Sequence, residues 1–128
     1  MSLRSPLSHV LRHGSAKEGT DHWWTQRLTA IALLILGVWF LVSFAQLESY
    51  SQPELHSWVA SPFNALMLLL LSITLSWHSM LGIQIIIEDY VHGPGIKVVS
   101  IILSKFVHVL LAVAAMLAIL KVVLGVSL

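Results

Sequence analysis

One histidine, His78, lies inside a long apolar run that carries no other ionisable side chain. An ionisable group within a membrane span is costly, so it marks a functional site by default. Neutral imidazole is a ligand of haem iron, and a helix can present its ring to a porphyrin. Thr74 and Gly82 lie one helical turn away on the same face, and Gly82 leaves room for a flat macrocycle to approach the backbone. The alternative, a histidine hydrogen-bonded to a neighbouring helix, stays open at this point.

A second histidine, His108, lies in the last apolar run. Counted at helical rise, it is roughly 15 Å from the start of that run, a depth similar to that of His78. Two histidines at one depth on different helices can ligate one iron between them. The other interpretation is a polar contact between helices. We favour that contact for His108, because no small residue or motif surrounds it.

Acidic residues and a tyrosine, Glu88, Asp89 and Tyr90, follow His78 at the end of the same run. A tyrosine hydroxyl can donate a hydrogen bond to a quinone carbonyl, and a nearby acid can help deliver the protons that quinone reduction consumes. The alternative is a helix terminus with solvated charges and an interfacial tyrosine, which is a common arrangement.

A basic residue, Arg27, opens the first apolar run, and His22 lies close by. A guanidinium forms charge-assisted hydrogen bonds to carboxylates, so Arg27 could pair with a haem propionate or bind a quinone oxygen. Its spacing alone favours a plain positive anchor at the membrane surface. His22 could join either role.

Three apolar runs dominate the chain, at residues 28–45, 62–87 and 98–125. Hydrophobic residues make up 57% and charged residues 10%, whereas about 25% are charged in ordinary globular proteins. Each run is close to the ~20 residues that cross a bilayer as a helix. We therefore predict an all-α membrane protein with three transmembrane helices, spanning about 25–46, 62–88 and 98–126. A polar arm at 1–21 precedes this three-helix transmembrane domain at 22–128, and a polar loop at 47–59 joins the first two spans.

Composition excludes several classes of function. The chain has no cysteine, which rules out a disulfide framework and a thiolate-bound iron–sulfur cluster within it. Its net charge of +1 argues against a nucleic-acid partner. The polar first 21 residues lack the apolar core of a signal peptide, and we expect a bacterial cytoplasmic membrane protein rather than a mitochondrial precursor.

Basic residues indicate the orientation. They occur before the first span and between the second and third, whereas the first loop carries only Glu48 and Glu54. The positive-inside rule then places the N-terminus in the cytoplasm and the C-terminus in the periplasm. Three helices bury little surface, so we also expect a partner subunit in the membrane. The basic residues concerned are Arg4, Arg12, Lys17, Arg27 and Lys97.

Two short motifs resemble those of the small cytochrome b anchor subunits of succinate dehydrogenases. His78 is followed by Gly82 in the pattern H-x-x-x-G, and Asp89-Tyr90 begins eleven residues after the histidine. The first span opens with Arg27-Leu-Thr-Ala-Ile, which is similar to the family's R-x-T-A-I start. The order of the motifs and the three-span layout also agree, so the resemblance covers nearly the whole chain.

The resemblance implies half of a heterodimeric membrane-anchor helix bundle. Together with a second cytochrome b anchor subunit, the chain would hold one haem b. His78 would supply one axial iron ligand and the partner subunit would supply the other. The resemblance therefore argues against a pair of ligands formed by His78 and His108. Arg27 and His22 would lie near the haem propionates, and Tyr90 and Asp89 would line the ubiquinone site.

Within succinate:ubiquinone oxidoreductase (respiratory complex II), the expected function is electron transfer linking the tricarboxylic acid cycle to the respiratory chain. A flavoprotein and an iron–sulfur subunit would supply the electrons. The chain itself would contribute no catalytic residue and would not be active alone. Two alternatives remain: an anchor subunit of a quinol:fumarate reductase, and a non-redox membrane scaffold or proton-path subunit that uses His78 and His108.

Overall fold

The computed structural model describes residues 16–126, which form four helices and no strand. Three helices are long and apolar enough to cross a membrane, so the prediction of an all-α protein with three transmembrane helices is confirmed. The four helices are α1 (Ala16–Ala45), α2 (Gln52–Ala60), α3 (Pro62–Tyr90) and α4 (Pro94–Leu124).

The helices extend beyond the apolar runs from which they are predicted. α1 includes Ala16, so residues 16–21 of the predicted polar arm are helical. Residues 1–15 of that arm, with Arg4 and Arg12, lie outside the described residues. α3 continues through Glu88, Asp89 and Tyr90 and α4 begins at Pro94, so the connection between the second and third spans, predicted at residues 89–97, is only residues 91–93. Charged residues end an apolar run without ending a helix, because the backbone hydrogen bonds of a helix can continue beyond the bilayer core whatever the polarity of the side chains.

Proline and glycine define the helix ends. Pro62 and Pro94 occupy the first turns of α3 and α4, where the missing amide proton costs nothing. Gly125 ends α4 with φ +65°, a left-handed conformation that favours glycine. The Gly125 and Val126 amides donate to the Val122 and Lys121 carbonyls at 3.3 and 3.2 Å, which is the hydrogen-bond pattern of a Schellman cap.

The central helix is α3, on which α1 and α4 pack from different sides without packing on each other in the described part of the chain. Few side chains are removed from the surface: among the described residues the buried apolar ones are Leu36, Ala65 and Leu81. Most of the large apolar side chains point outward, as with Leu34 and Leu110, each 68% exposed. Such a surface needs lipid or another subunit to cover it.

A short helix replaces the predicted polar loop between the first two spans. Ser51 and Pro53 stand at the start of α2, where proline presets a helical φ angle. The indole of Trp58 donates to the Ser43 hydroxyl of α1 at 2.9 Å, and its ring lies 6.2 Å from that of Trp39 in a stacked arrangement. Phe40 and Phe44 flank the same indole edge-on, so an aromatic cluster docks α2 onto the end of α1.

Hydrogen bonds to Glu54 order the segment that precedes α2. Its carboxylate accepts from the Ser49 hydroxyl and from the Glu48 amide, the latter at 3.0 Å. The Ser49 hydrogen bond in particular lowers the pKa of Glu54 below its ordinary value, since these donors favour the charged carboxylate. The first loop is therefore a structured cap rather than an irregular connection.

Candidate functional site

An open groove of about 480 Å³ lies between the first turns of α1's membrane span and the second half of α3. It brings together the three residues that the sequence predicts to contact a haem: His78 from α3, and His22 and Arg27 from α1. Trp23, Gln26, Ala30 and Ile85 complete its lining.

The imidazole of His78 is held at one of its two nitrogens. Its Nδ1 lies 2.9 Å from the Thr29 hydroxyl of α1. That hydroxyl also lies 2.8 Å from the Thr25 carbonyl and 3.1 Å from the Gln26 carbonyl. A hydroxyl has one proton and a carbonyl can only accept, so we assign the hydroxyl proton to the carbonyls. Oγ1 then accepts from Nδ1–H of His78.

The other nitrogen of His78, Nε2, keeps its lone pair in this tautomer. It forms no hydrogen bond with any residue in the 16–126 segment. A neutral histidine whose Nδ1–H is anchored by an oxygen presents Nε2 as a metal ligand. The half-buried His78 ring lines the groove, so the site offers one free imidazole nitrogen.

Two further polar atoms in the groove have no partner. His22 Nε2 and Gln26 Oε1 are buried and form no hydrogen bond within the described residues. Leaving a buried polar atom unpaired costs about 1–3 kcal/mol, which is recovered when a polar ligand binds beside it. Arg27 has its guanidinium carbon 5.3 Å from the centre of the Trp23 ring and forms no ion pair in the described segment, so its donors are available.

These features fit a haem. A haem needs an axial nitrogen, apolar walls and donors for its propionates. His78 would supply the nitrogen, Ala30 and Ile85 would supply apolar walls, and Arg27 would supply a cation.

Gln26 was not predicted as a site residue, and its side chain lies beside Gly82. A Cβ atom at Gly82 would lie 3.6 Å from Gln26 Nε2, at ordinary van der Waals distance. The role expected for Gly82 beside a macrocycle stays a prediction. The signal for Gln26 was present in its spacing, because His22, Gln26 and Thr29 recur at helical intervals on one side of α1.

His108 occupies a different position from His78. Its Nδ1 donates to the Ser104 carbonyl at 2.7 Å, and its Nε2 accepts from the Ser79 hydroxyl at 3.1 Å. Both ring nitrogens are thus used, and the residue makes the polar contact between helices favoured above. Since residues 78 and 79 are about 100° apart around α3, His78 faces α1 while Ser79 faces α4.

Asp89 and Tyr90 lie outside the groove, at the end of α3. Asp89 follows His78 by eleven residues, about three helical turns, so it shares the face of His78 roughly 16 Å further along the axis. Tyr90 is 77% exposed, and its hydroxyl forms no hydrogen bond with residues 16–126. The adjacent Glu88 is engaged, because its carboxylate accepts from Gln84 at 2.8 Å and its carbonyl accepts from Lys97 at 2.7 Å.

Comparison with known proteins identifies the family. The sequence profile described as "Succinate dehydrogenase/Fumarate reductase transmembrane subunit" matches residues 1–124. The chain belongs to this family. The succinate dehydrogenase hydrophobic membrane anchor subunit of Rickettsia bellii (strain RML369-C) is 37% identical over 118 residues, which is 91% of this chain and 94% of that protein.

Two further relatives support the same assignment to the succinate dehydrogenase anchor family. The succinate dehydrogenase membrane anchor subunit of Reclinomonas americana is 34% identical over 110 residues, covering 84% of this chain and 89% of the relative. The succinate dehydrogenase hydrophobic membrane anchor subunit of Paracoccus denitrificans is 35% identical over 112 residues, which is 88% of this chain and 86% of that protein. The chain is therefore a multi-pass membrane anchor subunit of an oxidoreductase complex of the succinate dehydrogenase type, and it functions with other subunits in a membrane.

Proposed function

We propose that this anchor subunit holds one haem b, shared with a second cytochrome b anchor subunit, and that His78 Nε2 is one of its two axial ligands. The observation that carries the proposal is the hydrogen bonding of His78: its Nδ1 lies 2.9 Å from the Thr29 hydroxyl, and its Nε2 has no hydrogen-bond partner among the described residues, while the residue lines the groove. Arg27 and His22 would hold the propionates from α1. When bound, the haem supplies a one-electron redox centre within the membrane.

The end of α3 is the proposed contribution to a ubiquinone site. The free hydroxyl of Tyr90 is suited to donate a hydrogen bond to a quinone carbonyl, and Asp89 is placed to deliver a proton. The chain has no cysteine, so the electrons must reach this end from iron–sulfur clusters in another subunit. The proposed reaction of the assembly is succinate oxidation by a flavoprotein subunit, transfer through an iron–sulfur subunit, and ubiquinone reduction. The succinate direction is favoured over fumarate reduction because the three relatives named above are succinate dehydrogenase subunits.

The proposed location is the bacterial cytoplasmic membrane. The N-terminus and the 91–93 turn would face the cytoplasm, and α2 and the C-terminus the periplasm. This orientation would put Tyr90 on the side where soluble flavoprotein and iron–sulfur subunits can dock.

Substitution of His78 tests the haem ligand. In the assembled complex we expect His78→Ala to lose the b-haem absorption band and most of the bound haem, because the free nitrogen is removed. His108→Gln is the matched control: it changes a histidine of similar depth whose two nitrogens are already hydrogen-bonded. The measurements are the dithionite-reduced minus oxidised spectrum and the haem content per complex. Unchanged spectrum and haem content in His78→Ala would overturn the assignment.

A further inference from the structure

We propose that Thr29 is a positioning residue for His78: its hydroxyl fixes the imidazole tautomer and orientation, and thereby lowers the reduction potential of the haem. This inference rests on the haem ligation proposed above. It adds a residue of α1 that does not line the groove and that would act only through the histidine.

The position of the Thr29 oxygen is itself fixed. Its hydroxyl is within hydrogen-bond distance of the Thr25 carbonyl at 2.8 Å and the Gln26 carbonyl at 3.1 Å. Threonine is restricted in χ1 because it is β-branched, and bonding to the preceding turn selects the rotamer. Oγ1 is therefore a rigid acceptor, and a ring nitrogen 2.9 Å away must be protonated to use it.

The three groups form a chain of hydrogen bonds in one direction. The His78 Nδ1–H donates to Thr29, and Thr29 donates to the Thr25 carbonyl of its own helix. Bonds in such a chain polarise one another in a low-dielectric interior. Withdrawing the Nδ1 proton toward oxygen makes Nε2 a stronger electron donor, as partners beyond the ligand shell commonly do at metal sites. A stronger donor stabilises ferric iron over ferrous iron, which corresponds to a lower potential.

A second hydrogen bond between helices, at the same level of α3, provides a comparison. Ser79, the residue after His78, donates to His108 of α4 at 3.1 Å. Both bonds tie a neighbouring helix to α3, but only the Thr29 bond ends on the proposed iron ligand. If Thr29 merely held helices together, removing either bond would have a similar effect on the haem.

The test uses Thr29→Val in the assembled complex, since valine keeps the shape of threonine and removes the hydroxyl. We expect the haem midpoint potential to rise, the electron paramagnetic resonance spectrum of the ferric haem to change with ring orientation, and haem to be retained roughly tenfold less tightly. Thr29→Ser restores the hydroxyl and should restore all three. Should the valine variant assemble poorly, Thr29→Ala serves as a second hydroxyl-free variant.

Two controls separate positioning from packing. Thr25→Val removes a hydroxyl one turn earlier on α1, which donates to the Asp21 carbonyl at 2.7 Å and forms no hydrogen bond with His78. Ser79→Ala removes the bond to α4. Neither should shift the potential in the manner of Thr29→Val.

The outcomes are distinguishable from a failure of the haem proposal. An unchanged potential and spectrum in Thr29→Val, or equal shifts in Thr25→Val or Ser79→Ala, overturns the role of Thr29. If His78→Ala still loses haem in that case, the ligand assignment survives. If His78→Ala keeps its haem, the ligand assignment fails, and the role of Thr29 fails with it.

Discussion

At the scale of single residues, two histidines of similar depth differ in which nitrogen is free. His108 uses Nδ1 and Nε2 in hydrogen bonds to Ser104 and Ser79, at 2.7 and 3.1 Å. His78 uses Nδ1 alone, with Thr29 as its acceptor. A ligand must offer a lone pair, and of these two histidines His78 is the one with a ring nitrogen that no hydrogen bond occupies. The difference arises on α3, where consecutive side chains point about 100° apart. His78 therefore faces Thr29 of α1, whereas Ser79 faces His108 of α4.

Tyr90 belongs to the same scale, and its substitution tests the quinone site. In the assembled complex we expect Tyr90→Phe to raise the KM for ubiquinone analogues by roughly 2- to 10-fold, because one hydrogen bond is worth about 0.5–1.5 kcal/mol. Tyr50→Phe is the control, as Tyr50 is 61% exposed at the opposite end of the molecule. Succinate–quinone reductase assays over a range of quinone concentrations give the measurement. Undiminished activity of Tyr90→Phe at every concentration would contradict the role.

At the scale of helices, α2 shows how a segment rich in polar residues becomes ordered. Its nine residues are too few to be stable alone. Trp58 supplies the missing free energy through its hydrogen bond to Ser43 and its contacts with the rings of α1. Aromatic side chains prefer the membrane interface, where an apolar ring and a polar edge are both satisfied. The aromatic contacts of α2 therefore place this helix against the end of α1 that follows the first span.

The docking of α2 can be weakened in steps. Ser43→Ala removes the acceptor of the Trp58 indole and should destabilise the complex by about 0.5–1.5 kcal/mol. Trp58→Ala also removes the ring contacts, each worth about 0.5–1.5 kcal/mol, and should cost more. Ser57→Ala is the control, because the Ser57 hydroxyl donates within α2 to the Glu54 carbonyl. Thermal denaturation of the purified complex measures the relative stabilities of the three variants. Equal midpoints for all three would exclude this docking role.

At the scale of the whole molecule, the three spans form a row rather than a closed bundle. Both outer helices pack on α3, and large apolar side chains cover their outer faces. Lipid offers no hydrophobic driving force between helices, so small contacts and a few hydrogen bonds hold the row together. The groove beside His78 opens on one side of this row. A second anchor subunit on that side would enclose the haem and contribute the other ligand.

The orientation of the row can be tested with single cysteines, because the chain has none of its own. Gln52 and His92 are exposed in the two connections between spans. In intact bacteria, a membrane-impermeant thiol reagent should label Gln52→Cys, and it should reach His92→Cys only after the inner membrane is permeabilised. The physical reason is the positive-inside rule, since Lys97 follows the second connection and the first carries only acidic charges. The reverse labelling pattern would contradict the proposed orientation.

The sequence alone was sufficient to predict the three spans, and it also singled out His78 as a candidate site residue. Long uncharged runs can cross lipid only as helices, because every backbone polar group must be satisfied internally. Placing a histidine within a membrane span costs free energy, so its presence there indicates a candidate functional site. His22 and Arg27 could be proposed from the family motif, but their convergence with His78 in one groove required coordinates.

Only the tertiary structure decided which atoms meet. The tautomer of His78, the role of Gln26 beside Gly82 and the docking of α2 all depend on how the helices are rotated about their axes. In a soluble protein the polar and apolar faces of a helix reveal that rotation. In this chain both the packed and the lipid-facing sides of a helix are apolar, so the hydrophobic pattern hardly indicates which side packs against a neighbouring helix. Individual hydrogen bonds, such as the one that His78 donates to Thr29 and the one that Ser79 donates to His108, set the rotation instead.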